Sequence, residues 1–228
     1  MLEVLTRNAV PIADLYNQYV SDLKTIFSEF ETEEVENESF TVYITKSKNV
    51  KIVVSNGGAN SGIEIKEYCN DDSRTITWKG NLSFAFYRMV KSEFGIAMSS
   101  TIDKSNASEA HSDWEQLSWF IGKGINTDTN EPCMGLVTTE NQYNGDGRHS
   151  LFLATDLHNQ IEKIDASVSL FQGTSAAMPV LTNMFSYMYP FEFDDVYIKL
   201  QSQGQYGKML IENEKFISGT DFCLEYTD

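Results

Sequence analysis

Near residue 38 the spacing of apolar side chains changes from a helical period to an alternating one, and this switch limits what the chain can fold into. Before it, Ile12, Leu15, Tyr16, Tyr19, Val20, Leu23, Ile26, Phe27 and Phe30 recur at intervals of three and four. That spacing predicts one long amphipathic helix over residues 11–30. Its aromatic stripe suits a core and, in an assembling subunit, a neighbour as well. Pro11 fits the first turn, where its missing N–H leaves no bond unmade. Beyond residue 38, Phe40, Val42 and Ile44 alternate with Thr41, Tyr43 and Thr45. Val50, Ile52 and Val54, then Ile63 and Ile65, then Ile76 and Trp78 continue the pattern, which predicts four short strands separated by turns. Residues 31–38, with five glutamates in eight positions, read as an exposed linker too charged to bury.

The spacing of Leu82, Phe86, Met89, Val90 and Phe94 predicts a helix over 82–94, although Phe84 and Phe86 also fit a strand. Residues 97–111, rich in Ser, Ala and Asn, form the best candidate boundary. A second short helix is expected near 112–121. Ser112 and Glu115 have capping-box spacing, Trp114, Leu117, Trp119, Phe120 and Ile121 fill the body, and Gly122 and Gly124 stop it. Residues 135–139 and 150–154 read as strands around the turn residues Asn144, Gly145, Asp146 and Gly147. Further strands are expected at 196–200 and 222–226, with a hairpin over 208–217 between them. The expected fold is α+β: strand-rich antiparallel sheets, a long N-terminal amphipathic helix and a second short helix near 112–121. The divisions are 1–30, a small α+β region at 39–96 and a β-rich region at 112–228, with one continuous domain as the alternative.

A chain of 228 residues hides roughly 70% of its unfolded surface in a compact domain and needs no covalent staples. With 17 basic and 33 acidic residues its net charge is -16. Such a surface repels phosphate backbones, which argues against direct binding of nucleic acid or anionic membrane unless basic residues cluster in space. Cys69, Cys133 and Cys223 match neither a disulfide framework nor a zinc spacing, and read as buried small hydrophobes of a reducing compartment. Met1 to Val4 offer no basic or apolar leader, and no apolar run approaches the ~20 residues of a membrane span. Synthesis and folding in a cytoplasm are expected.

Residues 173–179, Gly-Thr-Ser-Ala-Ala-Met-Pro, resemble the nucleophile motif of subtilisin-like serine proteases, in which Ser175 would be the nucleophile. The upstream aspartate and histidine motifs of that family are missing: His111, His149 and His158 precede Ser112, Ser150 and Asn159, none of them glycine. A serine with no base to take its proton is a weak nucleophile. The three histidines lack the i, i+4 pairing of a zinc helix, even with Asp113 or Asp156 nearby. Carboxylate pairs such as Asp71 with Asp72 and Asp194 with Asp195 carry no information in so acidic a chain. The glycine-rich loop at 56–62 leads into a strand, so it reads as a hairpin turn and not a phosphate cradle. The turn at 144–147 resembles half a calcium loop, but Arg148 stands where a ligand oxygen is needed. Catalytic, cofactor-binding and metal-binding residues are therefore all expected to be none.

The C-terminal third, from about residue 178 to 228, resembles the ending of structural subunits of tailed-bacteriophage particles. There an apolar, proline-containing stretch leads to an exposed strand, a tight hairpin and a short closing strand. The corresponding parts here are residues 185–190 with Pro190, then 196–200, then 207–217. The resemblance implies a non-enzymatic virion component of capsid, neck (head–tail connector) or tail. It also implies that the protein oligomerises through symmetric contacts, partners itself and other virion proteins, and is made in the host cytoplasm. Under it, residues 11–30 and 178–189 are expected at intersubunit contacts. A cytoplasmic acidic module that docks a basic partner stands second, and a hydrolase using Ser175 third.

Overall fold

The computed structural model describes residues 3–58, 62–78, 84–93, 95–103, 115–141, 149–157, 160–164, 180–183, 191–193, 196–200, 210–213, 216–218 and 222–225. The chain opens with β1 (Glu3–Pro11) and α1 (Ile12–Ile26). Five strands follow as a meander: β2 (Glu31–Val35), β3 (Ser39–Tyr43), β4 (Val50–Asn56), β5 (Ile63–Cys69) and β6 (Asp72–Trp78). A second meander runs through β7 (Phe84–Lys91), β8 (Gly95–Asp103), β9 (Glu115–Asn126), β10 (Pro132–Asn141), β11 (His149–Thr155) and β12 (Glu162–Ile164). β1 pairs with β7 at the edge of this main sheet. The remaining strands are β13 (Val180–Asn183), β14 (Phe191–Phe193), β15 (Val196–Leu200), β16 (Leu210–Asn213), β17 (Phe216–Ser218) and β18 (Phe222–Glu225). β14 joins β9 of the main sheet, and the other five form a third sheet in the order β13-β15-β18-β17-β16.

The α+β expectation is corrected: strands dominate, and α1 is the single helix among the described residues. Residues 115–121 of the expected second helix lie in β9. Trp119 and Ile121 belong to the core shared with α1, Phe120 points the other way, and all three are buried. A strand covered on both faces reads as a continuous apolar run, which periodicity does not separate from a buried helix. The same confusion explains 82–94, where β7 runs over Phe84–Lys91. Ala85, Tyr87 and Met89 face the core and Val90 is buried on the reverse side. Residues 31–38 are exposed throughout, as expected, but 31–35 form β2, not a linker. Glutamates suit that place, because an edge strand studded with charge resists unwanted pairing.

The helix expected over 11–30 spans Ile12–Ile26 and follows a strand. Asp14 in its first turn and Lys24 in its last complement the helix dipole. The stripe Ile12, Leu15, Tyr16, Tyr19, Val20, Leu23, Ile26 and Phe27 is wholly buried. It fills the corner between β1, β7 and β4, in one core with Phe40, Val42, Ile52, Val54, Ile63 and Ile65 from the first meander and Met98, Trp119 and Leu136 from the second. That stripe is core, and Phe30 beyond its end packs against it partly buried. On the reverse face of the main sheet Val90, Ala97, Phe120, Val137 and Leu153 are also buried, and β18 lies against β8 and β9. The main sheet is therefore the middle layer.

A row of glycines crosses that middle layer, since Gly122 of β9 stands opposite both Gly95 of β8 and Gly135 of β10. Here the missing side chain serves close packing. A Cβ on Gly95 would lie 2.4 Å from the Ile121 carbonyl oxygen and 2.6 Å from the Phe120 ring. The Phe120 ring lies over this strand in place of a side chain, as aromatic residues do beside sheet glycines.

Candidate functional site

Two carboxylates are buried among the described residues, and each is positioned by more than one element. Asp22 sits on the buried side of α1, where an unpaired charge would be strongly unfavourable. Arg7 of β1 donates from Nε to Oδ2 at 2.7 Å and from Nη2 to Oδ1 at 2.6 Å. Tyr87 of β7 donates its hydroxyl to Oδ2 at 2.8 Å, and Gln18 donates Nε2 to Oδ1 at 3.2 Å. A register shift between Arg7 and Val10, with Ala9 at φ 55°, lets both Arg7 and Val10 turn inward at a spacing that a regular strand would place on opposite faces. Hydrogen bonding to Asp22 raises the Arg7 pKa. Burial, then the bond to Asp22, pushes the Tyr87 phenol well above its ordinary value. With its oxygens filled by four donors, this carboxylate joins β1, α1 and β7 and is fully committed to that task.

Glu67 of β5 is the second. Thr138 of β10 donates its hydroxyl to Oε1, and Arg74 Nη1 of β6 lies 3.8 Å from Oε2. The Arg74 guanidinium rests 3.3 Å from the centre of the Phe152 ring on β11. These groups fasten the first meander to the second. Between the two clusters, the Tyr19 hydroxyl donates to Met98 Sδ at 2.7 Å, and its ring meets that of Tyr87 edge-on at 5.1 Å. Burial raises the Tyr19 phenol far above its usual value.

Of the residues singled out for chemistry, His149 opens β11 opposite Asn141. Ser175, His111, His158, Asp113, Asp194 and Asp195 lie outside the described residues. Asp156 is exposed and accepts the Met134 N–H at 3.4 Å. Asp72 accepts the N–H of Ser73 at 2.9 Å and that of Ile161 at 2.9 Å, so it ties the β5–β6 turn to the segment before β12. Cys69 and Cys133 are buried thiols, and burial raises Cys69 further from its reactive form. The loop at 56–62 closes β4 onto β5, with Gly57 N–H donating to the Gly62 carbonyl at 3.0 Å. Among the described residues no group of three or more potential ligands could hold a metal ion, and no helix is long and apolar enough to cross a membrane.

The solvent face of the first meander carries a different chemistry. Across it Tyr43, Lys51, Tyr68 and Ser73 stand opposite one another on four successive strands. The next row on that face runs Thr41, Val53, Lys66 and Thr75. Lys51 and Lys66 lie 4.8 and 5.2 Å from the centre of the Tyr68 ring, and Lys48 lies 4.8 Å from that of Tyr43. Lys48 also bonds Glu31, and the Tyr43 hydroxyl donates to Glu33 Oε2 at 2.7 Å, which pushes that phenol up. Lys46 is exposed at the same end. At the far end the β2–β3 turn presents Glu36 and Glu38, both exposed, beside Glu34 and Glu64. Each strand on its own shows which residues share this face. The clustering needs the cross-strand register, so spacing along the chain missed it.

Comparison of the chain with protein-family models, curated proteins and solved structures returns no match.

Proposed function

We propose that this chain is a non-enzymatic structural subunit of a tailed-phage particle, a capsid, neck or tail component that assembles through symmetric contacts with copies of itself and with other virion proteins. The observation that carries the reading is the C-terminal layout. The run that resembles phage subunits provides strand β15, the hairpin β16–β17 and the closing strand β18, which sits between β15 and β17 and lies against the central strands of the main sheet. A layered stack of antiparallel sheets suits a part whose task is to hold a shape, and the two polar clusters buried in its apolar interior support that use. Both buried carboxylates fasten layers together. Light scattering and negative-stain microscopy of the purified full chain test the proposal. Discrete rings or larger assemblies are expected; a monomer at high micromolar concentration counts against it. The fully exposed acidic run 31–38 favours one other reading, a module that docks a basic partner, for which a salt-sensitive pull-down is the test.

A further inference from the structure

An edge strand presents a row of backbone N–H and C=O groups that another extended chain can pair with. Among the described residues, β1, β2 and β6 are the edge strands of five residues or more. Two of them are defended. β2 carries Glu31, Glu33 and Glu34, and an antiparallel copy centred on Glu33 would set that carboxylate against itself. β6 carries Asp72 and Arg74; Asp72 holds the Ile161 N–H before β12, and Arg74 rests on the Phe152 ring of β11. β1 has no charge at its centre, because Val4, Leu5 and Thr6 stand between Glu3 and Arg7. Val4 is 38% exposed, one of two large apolar side chains exposed among the described residues. β1 pairs with β7 on its inner side, and no described strand borders its outer side. The bulge after Arg7, with Ala9 at φ 55°, ends the regular stretch, so the edge offers residues 3–7.

From this layout we infer that β1 is a docking edge whose occupant is β1 of a second copy, antiparallel and centred on Leu5. The symmetry of the segment about Leu5 selects the occupant. In that register Leu5 meets Leu5, Val4 meets Thr6 and Glu3 meets Arg7, the last two pairs forming twice. Opposed residues have the same parity, so the core faces of the two main sheets, with both copies of α1, lie on one side of the joined sheet. The charges at the ends leave this register open. Asp22 takes Nε and Nη2 of Arg7, and the side chain is still 36% exposed, which leaves its guanidinium an edge for Glu3 of the other copy. Lys91, opposite Glu3 within one copy, lies 3.7 Å from Glu29. A contact in which the same strand serves both copies is isologous and closes on a pair, so a larger particle that uses it is built of pairs. The inference rests on the self-assembling subunit proposed above and names one contact that such a subunit uses.

Sedimentation velocity of the full chain tests it with V4E/T6E, V4K/T6E and a charge control, T127E/T129E in the β9–β10 turn, each checked for wild-type circular dichroism. Val4, Thr6, Thr127 and Thr129 are all exposed. Both β1 variants carry T6E opposite Arg88 of their own β7, so they differ only at position 4. V4E/T6E sets like charges against each other across the junction and is expected to self-associate at least roughly tenfold more weakly than wild type. V4K/T6E sets unlike charges there and is expected to assemble as wild type does. The control adds the same charge as V4E/T6E away from the edge and is also expected to match wild type. Undiminished assembly of V4E/T6E, dispersal of V4K/T6E or of the control, or a wild-type particle with an odd number of copies each overturns the pairing and leaves the assembling-subunit reading standing. A monomeric wild type overturns both.

Discussion

Replacing Asp22 with asparagine turns one acceptor oxygen into a donor, removes the charge and changes almost nothing of the shape, so its effect isolates the charge that joins β1, α1 and β7. The native carboxylate accepts from Arg7 twice, from Tyr87 and from Gln18. An asparagine keeps one acceptor oxygen, and its amide group then points a donor at donors. At least two bonds are lost, at least one of them from a guanidinium. Hydrogen bonds to charged groups contribute roughly 1.5–3 kcal/mol each, which sets an upper bound near 6 kcal/mol. Arg7 is 36% exposed, so water takes up part of its stranded charge. The expected loss is about 3–4 kcal/mol, within the range for breaking one side of a buried pair. Urea unfolding followed by tryptophan fluorescence measures it, since Trp119 is buried with its ring 5.7 Å from that of Phe27 in the same core. Circular dichroism checks that the two probes coincide. The double variant R7M/D22M removes both charges and is expected to recover most of the loss. A D22N penalty below about 1 kcal/mol, the level of an exposed pair, would refute the claim that this network fastens the layers.

Gly95→Ala is expected to destabilise by about 1–3 kcal/mol, because the new methyl meets the Ile121 carbonyl as well as a ring, and backbone does not step aside as a side chain does; thermal unfolding that matches wild type would show the packing argument to be wrong. At alkaline pH the buried tyrosines govern stability. The folded-state pKa values of Tyr19 and Tyr87 are raised above the ordinary 10.0, so the folded form holds protons that the unfolded form releases. Their contribution is complete below pH 10 and declines as pH rises beyond it, by about 1.4 kcal/mol per pH unit for each tyrosine. Urea midpoints between pH 8 and 11 measure this decline, and Y87F is expected to have a shallower slope above pH 10; equal slopes would remove Tyr87 from the account.

The parts legible in the sequence are those where one face of an element meets the core and the other meets water. The stripe of α1 and the alternation of Phe40 with Val42, or of Val50 with Ile52 and Val54, are of this kind, and the burial follows the period. β9 breaks the rule because it lies in the middle layer, so Trp119, Phe120 and Ile121 are all buried and their spacing fits a helix as well as a strand. β2 breaks it in the opposite sense: it is exposed along its length, and its glutamates conceal a strand that only pairing with β3 reveals. Asp22 was invisible for a third reason. A lone aspartate among Tyr19, Val20 and Leu23 reads as the solvated side of an amphipathic helix, and only the bulge in β1 brings Arg7 to it. The row from Tyr43 through Lys51 to Tyr68 depends on strand register, which lies between segments and not within any one of them.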